Sequence, residues 1–169
     1  MGLDNIPHEY PCITAKTAVM THVPREDGST VERIDCDATV AAGGCPYMNA
    51  NPPKEGRVMG MLGTHCWYRG KYGNFLVNAL NSPVGCDIDA VASYVWDTNG
   101  DDSFYGTNEE GTYRPPDACR ELADQMEAAL DERGGQLVFG DDDRTGDVEY
   151  ALWYLRWVAE HCDGMVAWY

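Results

Sequence analysis

Basic residues are scarce in this chain, and lysine is the scarcest of them. The 169 residues include 12 Lys and Arg against 28 Asp and Glu, which gives a formal net charge of −16. A surface of this sign repels phosphate backbones and anionic lipid headgroups, so we expect neither nucleic-acid binding nor membrane-surface binding. The sequence leaves two explanations of the charge open. It is either an adaptation to a high-salt or GC-rich host, or it serves a function such as imitating a nucleic acid.

Long apolar runs are also missing. No stretch approaches the roughly 18 consecutive apolar residues of a membrane span, and the N-terminal residues lack the basic flank and apolar core of a secretion signal. We therefore expect a cytoplasmic protein. Apolar residues nevertheless make up 44% of the chain and aromatic residues 11%, which suffices for a hydrophobic core. The length suits one domain, and we expect residues 1–169 to form a single compact domain.

Strand-like segments come early in the sequence and amphipathic helices come late. Runs rich in Thr and Val at 16–23 and 30–36 flank an Asp27-Gly28 turn and predict a hairpin. Apolar residues at helical spacing predict helices over 117–132 and about 145–162. The order predicts an α+β fold, with N-terminal antiparallel strands and two amphipathic helices in the C-terminal third.

Shorter elements are predicted from less regular patterns of apolar and turn-forming residues. Strands are predicted at 57–62, 136–139 and 165–169, loops at 41–56 and 97–116, and either a helix or a strand at 88–96.

Carboxylates are absent from one long segment in the middle of the chain. No Asp or Glu occurs between Gly56 and Cys86, where average composition would place about five. The segment combines basic residues with glycines, whose backbone N–H groups can approach an anion, and with aromatic rings that can stack on a base. The residues predicted to bind a ligand are Arg57, Trp67, Arg69, Lys71, Tyr72 and Asn74.

In this interpretation Arg69 binds a phosphate or carboxylate through two parallel hydrogen bonds and Lys71 adds a point charge. The alternative is that the segment is interior and that its basic residues pair with acidic residues elsewhere. Neither a Walker-type loop nor a dinucleotide-binding fingerprint is present.

The seven cysteines include no Cys-x-x-Cys pair. A zinc site formed by Cys36, Cys45 and Cys66 with either Cys12 or His65 is one hypothesis. The other is that the thiols are buried and act as small apolar side chains. The sequence identifies no cofactor otherwise.

Two segments resemble a known group of proteins. The opening Met1-Gly2-Leu3-Asp4 and the block from Cys66 to Asn74, Cys-Trp-Tyr-Arg-Gly-Lys-Tyr-Gly-Asn, together with the terminal helix pair, resemble small uncharacterised proteins of tailed viruses of actinobacteria and haloarchaea. The resemblance implies an accessory protein that acts in the cytoplasm of the infected host cell. Accessory proteins of this size often disarm host defences by stoichiometric binding without turnover.

Three functions follow as expectations. The first is capture of a small anionic, nucleotide-like ligand without turnover. The second is inhibition of a basic host protein by an acidic interaction surface or by DNA mimicry. The third is a metal- or thiol-dependent enzyme that uses Cys36, Cys45, His65 and Cys66. We expect a binding protein rather than an enzyme.

Overall fold

Strands and helices are interspersed along the chain. A computed structural model describes residues 4–50, 61–62, 67–69, 73–86 and 112–168. The strands are β1 (Asp4–Pro7), β2 (Met20–Pro24), β3 (Thr30–Ile34), β4 (Met61–Leu62), β5 (Trp67–Arg69), β6 (Thr112–Arg114), β7 (Val138–Phe139), β8 (Asp142–Asp143) and β9 (Met165–Trp168). The helices are α1 (Pro11–Thr14), α2 (Cys36–Ala41), α3 (Gly73–Asn81), α4 (Pro116–Glu132) and α5 (Thr145–His161). The predicted α+β class is confirmed.

The main sheet joins strands from both ends of the chain. Its five strands follow the order β4-β5-β1-β9-β6, and every neighbouring pair is antiparallel. The central strand, β1, pairs with β5 on one side and with β9 on the other. The first and last strands are therefore neighbours, and the segment before β9 lies close to β6.

The core is formed mainly by α4 and α5. Along α4, the stripe of Cys119, Leu122, Met126 and Leu130 is buried, as the helical spacing predicts. On the outer side, the Arg156 guanidinium of α5 binds Asp124 at 3.0 Å and Glu127 at 2.6 Å on α4. The hydrogen bond from Arg156 lowers the pKa of the Glu127 carboxyl.

The predicted hairpin is confirmed as β2 and β3, paired from Met20↔Ile34 to Pro24↔Thr30, with β2 beginning four residues later than the predicted run at 16–23. Its turn contains Gly28 at φ +82°, a conformation that costs glycine little. The hairpin forms its own two-stranded sheet and is largely exposed.

Both predicted C-terminal helices are confirmed. Helix α4 begins one residue earlier than predicted, and α5 ends one residue earlier than predicted. The strand predicted at 136–139 is confined to β7, and β9 corresponds to the one predicted at 165–169. None of the helices in the described ranges is long and apolar enough to cross a membrane.

Two predictions are wrong in part. The sequence pattern predicts a strand as far as residue 36, but α2 begins there because the Asp35 carboxylate accepts the Ala38 N–H at 2.9 Å and caps the helix. The end of the predicted 97–116 loop is the strand β6, which is held by pairing with β9. The rest of that loop up to residue 111, the ambiguous segment 88–96 and residues 57–60 of the predicted 57–62 strand lie outside the described residues.

Candidate functional site

A strand, a short connection and a helix follow each other inside the acid-free segment. Strand β5 ends at Arg69 and α3 begins at Gly73. The strand lies between β1 and β4, with Arg69 opposite Asp4 and Tyr68 opposite both Asn5 and Met61. The position of β5 within the sheet is therefore fixed by pairing on both sides.

Packing fixes the position of α3 as well. Leu76 and Ala79 are fully buried and Leu80 is nearly so, and α3 contacts both α4 and α5. The first turn of this nine-residue helix contains no acidic residue. Because the first backbone N–H groups of a helix have no partner within it, and because the helix dipole is positive at this end, such a terminus favours an anion.

Three of the predicted ligand-binding residues lie on β5 or α3. Trp67 and Arg69 lie on β5, and Asn74 lies in the first turn of α3. Lys71 and Tyr72 belong to the connection between the two elements, which lies outside the described residues, as does Arg57.

The arginines of the helical half are already engaged. Arg120 and Arg156 pair with carboxylates of α4, and Arg144 pairs with Asp142 and Asp147 at 2.9 and 3.3 Å. Arg133 donates to main-chain carbonyls at the end of α3. These four cations are therefore engaged within the fold, which makes them poor candidates for an anion site.

A cavity of about 410 Å³ lies at the start of α5 and is lined mainly by acidic residues. The salt bridges of Arg144 to Asp142 and Asp147 offset part of this charge. In the part of the chain that the structure describes, no three His, Cys, Asp or Glu residues are arranged to hold a metal ion.

The cysteines of the zinc hypothesis are only partly described. Cys12, Cys36 and Cys45 belong to the described residues, whereas His65 and Cys66 lie outside them. Zinc at these positions stays a prediction.

Thiol chemistry has little support among the described cysteines. Burial raises the pKa of Cys119 to about 11 and that of Cys162 to about 12, and it also raises the pKa values of Cys12 and Cys36. A nucleophilic cysteine requires the opposite shift, because the thiolate is the reactive form.

A second open cavity, of about 550 Å³, is lined by His8, Glu9, Thr14, Cys162 and Asp163, and no sequence pattern predicts it. There the His8 Nδ1 lies 3.1 Å from the Asp163 carboxylate. A histidine–carboxylate pair can transfer protons, but the neighbouring Cys162 thiol is protonated at neutral pH. No local pattern could have revealed a pair 155 residues apart.

Comparisons with protein-family models, with curated proteins and with solved structures give no match to this chain.

Proposed function

We propose that this protein binds a small anionic, nucleotide-like ligand at the junction of β5 and α3 and holds it without turnover. The observation that supports this most is the acid-free first turn of α3, which directly follows Arg69 and Lys71 in a chain of net charge −16. Such a junction attracts an anion that the rest of the surface repels.

The residue types suit the recognition of a phosphate with an attached ring. Backbone N–H groups at the start of α3 would bind the phosphate, with Arg69 donating two parallel hydrogen bonds and Lys71 adding charge. Positions 67 and 69 share one face of the strand, which allows the Trp67 ring to stack on a base beside the arginine. Tyr72, Asn74 and Arg57 complete the proposed set.

The resemblance to accessory proteins of tailed viruses supports a role for this binding in the infected cell. A stoichiometric binder that removes a nucleotide signal of host defence needs affinity and abundance, and it needs no catalytic group. We therefore place the protein in the host cytoplasm as a counter-defence factor.

Isothermal titration against a panel of cyclic and linear nucleotides tests the proposal. We expect one member to bind, and Arg69→Ala to weaken its binding by about 10- to 100-fold, which corresponds to about 1.5–3 kcal/mol for a hydrogen-bonded charged group. Arg25→Ala, which removes the same charge from the exposed hairpin turn, is the matched control and should bind as the wild type does. The absence of heat with every nucleotide, or equal effects of the two variants, would contradict it.

A second candidate function has its own observation. Exposed acidic residues recur along one face of α4 at Asp117, Glu121, Asp124 and Asp131, a heptad-like spacing that spans about 21 Å of helix. Arg120 and Arg156 already bind Asp117 and Asp124, so Glu121 and Asp131 carry the charge that a partner would meet. We propose that this face binds a basic host protein, either as a docking surface or in place of DNA.

Capture of host proteins at low and high salt tests this second candidate. We expect salt-sensitive retention of a basic host protein that weakens when Glu121→Gln and Asp131→Asn are combined. The combination of Glu26→Gln and Glu32→Gln on the exposed hairpin, which removes the same charge, should leave retention unchanged, as should Arg69→Ala. Retention that is indifferent to salt, or equal losses in both pairs of variants, would refute this function.

A further inference from the structure

The hairpin of β2 and β3 has an open outer edge along β2. At one end of the hairpin the Asp35 N–H donates to the Val19 carbonyl at 2.8 Å, and the strands keep the same register as far as Pro24. Because bonded and non-bonded pairs alternate in an antiparallel ladder, the odd-numbered residues of β2 bond to β3, whereas the backbone groups of Met20 and His22 point away from it. Among the described residues, no hydrogen bond reaches these outward groups, and β2 has no neighbouring strand besides β3.

This edge is uncharged in a chain that is otherwise strongly anionic. Residues 17–23 include no Asp, Glu, Lys or Arg, and Val19, Met20 and Val23 are 37%, 41% and 37% exposed. The hairpin segment 16–35 has three basic and four acidic residues, so it carries little of the net charge of −16. Two copies of such a protein repel each other over most of their surface, but not along β2.

We propose that β2 pairs with β2 of a second copy of this chain, so that two hairpins form one four-stranded antiparallel sheet. A two-stranded ribbon on its own is marginally stable, and an open edge is a template for another strand. The pairing is centred on Thr21, which lies opposite Thr21 of the second copy. Met20 and His22 then exchange backbone hydrogen bonds with His22 and Met20 of the second copy.

The side chains and the ends of the pairing favour this register. Val19 lies opposite Val23 of the second copy, which forms a pair of β-branched apolar residues, and no charged side chain is included. The pairing ends where Pro24, which has no N–H, meets Ala18 of the second copy. The Ala18 N–H already binds the Cys12 carbonyl at 3.1 Å, so the end of the pairing leaves no donor without a partner.

The outer edge of β3 does not offer the same pairing. A two-fold pairing over the whole of β3 places Glu32 opposite Glu32 of the second copy, and like charges directly opposite each other are destabilising. Association is therefore confined to β2, and it stops at the dimer rather than continuing as a fibre.

Sedimentation of the intact protein at increasing concentration tests the association. A single pair of edge strands buries less than the area of a standard interface, so we expect a weak, reversible dimer with a dissociation constant on the order of 10–100 μM. The mass should rise from 18.7 kDa towards twice that value. Added salt should tighten the dimer, because it screens the repulsion between the two anionic copies. A protein that remains monomeric at about 1 mM would overturn the proposal.

Cysteine cross-linking tests the register. The tryptic peptide 17–25 contains no native cysteine, so a disulfide that joins two copies of it requires an introduced thiol. In Thr21→Cys the two new thiols lie opposite each other at a non-hydrogen-bonded position, where the Cα atoms are about 4.5 Å apart and a disulfide can form. We expect this variant to cross-link about ten-fold faster than His22→Cys, whose thiols lie diagonally across the pair. Equal rates, or faster cross-linking of His22→Cys, would contradict the pairing centred on Thr21.

Proline substitutions test the role of the outward backbone groups. His22→Pro removes an N–H that points away from β3, and it should raise the dissociation constant about ten-fold or more while the hairpin persists, since an edge strand tolerates proline. Glu32→Pro is the matched control, because Glu32 lies directly opposite His22 in the hairpin and its N–H points to the other edge. This control also removes a negative charge, so it should dimerise at least as well as the wild type. Equal weakening by the two variants would overturn the assignment of the interface to β2.

Discussion

Replacing Gly164 by alanine is expected to lower the free energy of unfolding by more than about 3 kcal/mol. Gly164 has φ +73°, and a Cβ there would lie 2.0 Å from the Arg114 carbonyl oxygen and 3.1 Å from the carbonyl carbon of Pro115. These are backbone atoms at the end of β6, so the clash cannot be relieved by a side-chain rotation. Relief requires moving β6 away from β9, which would break their pairing.

Gly135→Ala provides the matched control for this prediction. Gly135 has nearly the same backbone angle, φ +77°, but nothing lies within 4 Å of a Cβ built on it. Gly135→Ala should therefore lower the free energy of unfolding only by the strain of the left-handed conformation, about 1–2 kcal/mol. Urea unfolding of the two variants separates the cost of backbone strain from the cost of the clash. Equal losses in the free energy of unfolding would show that β6 can move away from Gly164 at no cost.

The contrast between these glycines shows what local sequence can predict. The spacing of apolar residues predicted α4 and α5 almost to the residue because a helix satisfies its hydrogen bonds within one segment. Gly164 lies two residues after the predicted end of the last helix. Its close approach to Arg114, 50 positions earlier, depends on the pairing of β6 with β9 and left no local pattern.

The short strands of the main sheet could not be predicted for the same reason. The strands β1 and β6 are only four and three residues long, and such segments become strands through their neighbours rather than by their own propensity. The opening strand lies at the centre of the sheet because β5 and β9 flank it.

The sequence indicates which residues the candidate site would contain, but not the secondary-structure elements on which they lie. The absence of Asp and Glu identified the segment, in which the predicted ligand-binding residues are Arg57, Trp67, Arg69, Lys71, Tyr72 and Asn74. The alternative of an interior segment agrees with the burial of Leu76, Ala79 and Leu80, but it did not distinguish helix from strand. Only the fold shows that a strand ends and a helix begins on either side of Lys71.

Arg133→Ala is expected to lower the free energy of unfolding by about 2 kcal/mol, because it leaves partly buried carbonyl groups without their donor. From the end of α4, the Arg133 guanidinium donates to the Leu80 carbonyl at 3.1 Å, to the Ser82 carbonyl, and to the Ser82 hydroxyl at 3.1 Å. The carbonyls at the end of a helix have no partner within it. The contact therefore both satisfies the C-terminus of α3 and joins it to α4.

Arg156→Ala is the matched control, because it makes the same substitution at an exposed position. The Arg156 side chain is 43% accessible and binds Asp124 and Glu127. Solvent screens such pairs, so this control should cost only about 0.5–1 kcal/mol. Unfolding in urea at the same pH compares the two directly. Should Arg133→Ala cost no more than Arg156→Ala, the anchoring of α3 would have to come from the burial of its apolar side chains Leu76, Ala79 and Leu80 rather than from the arginine.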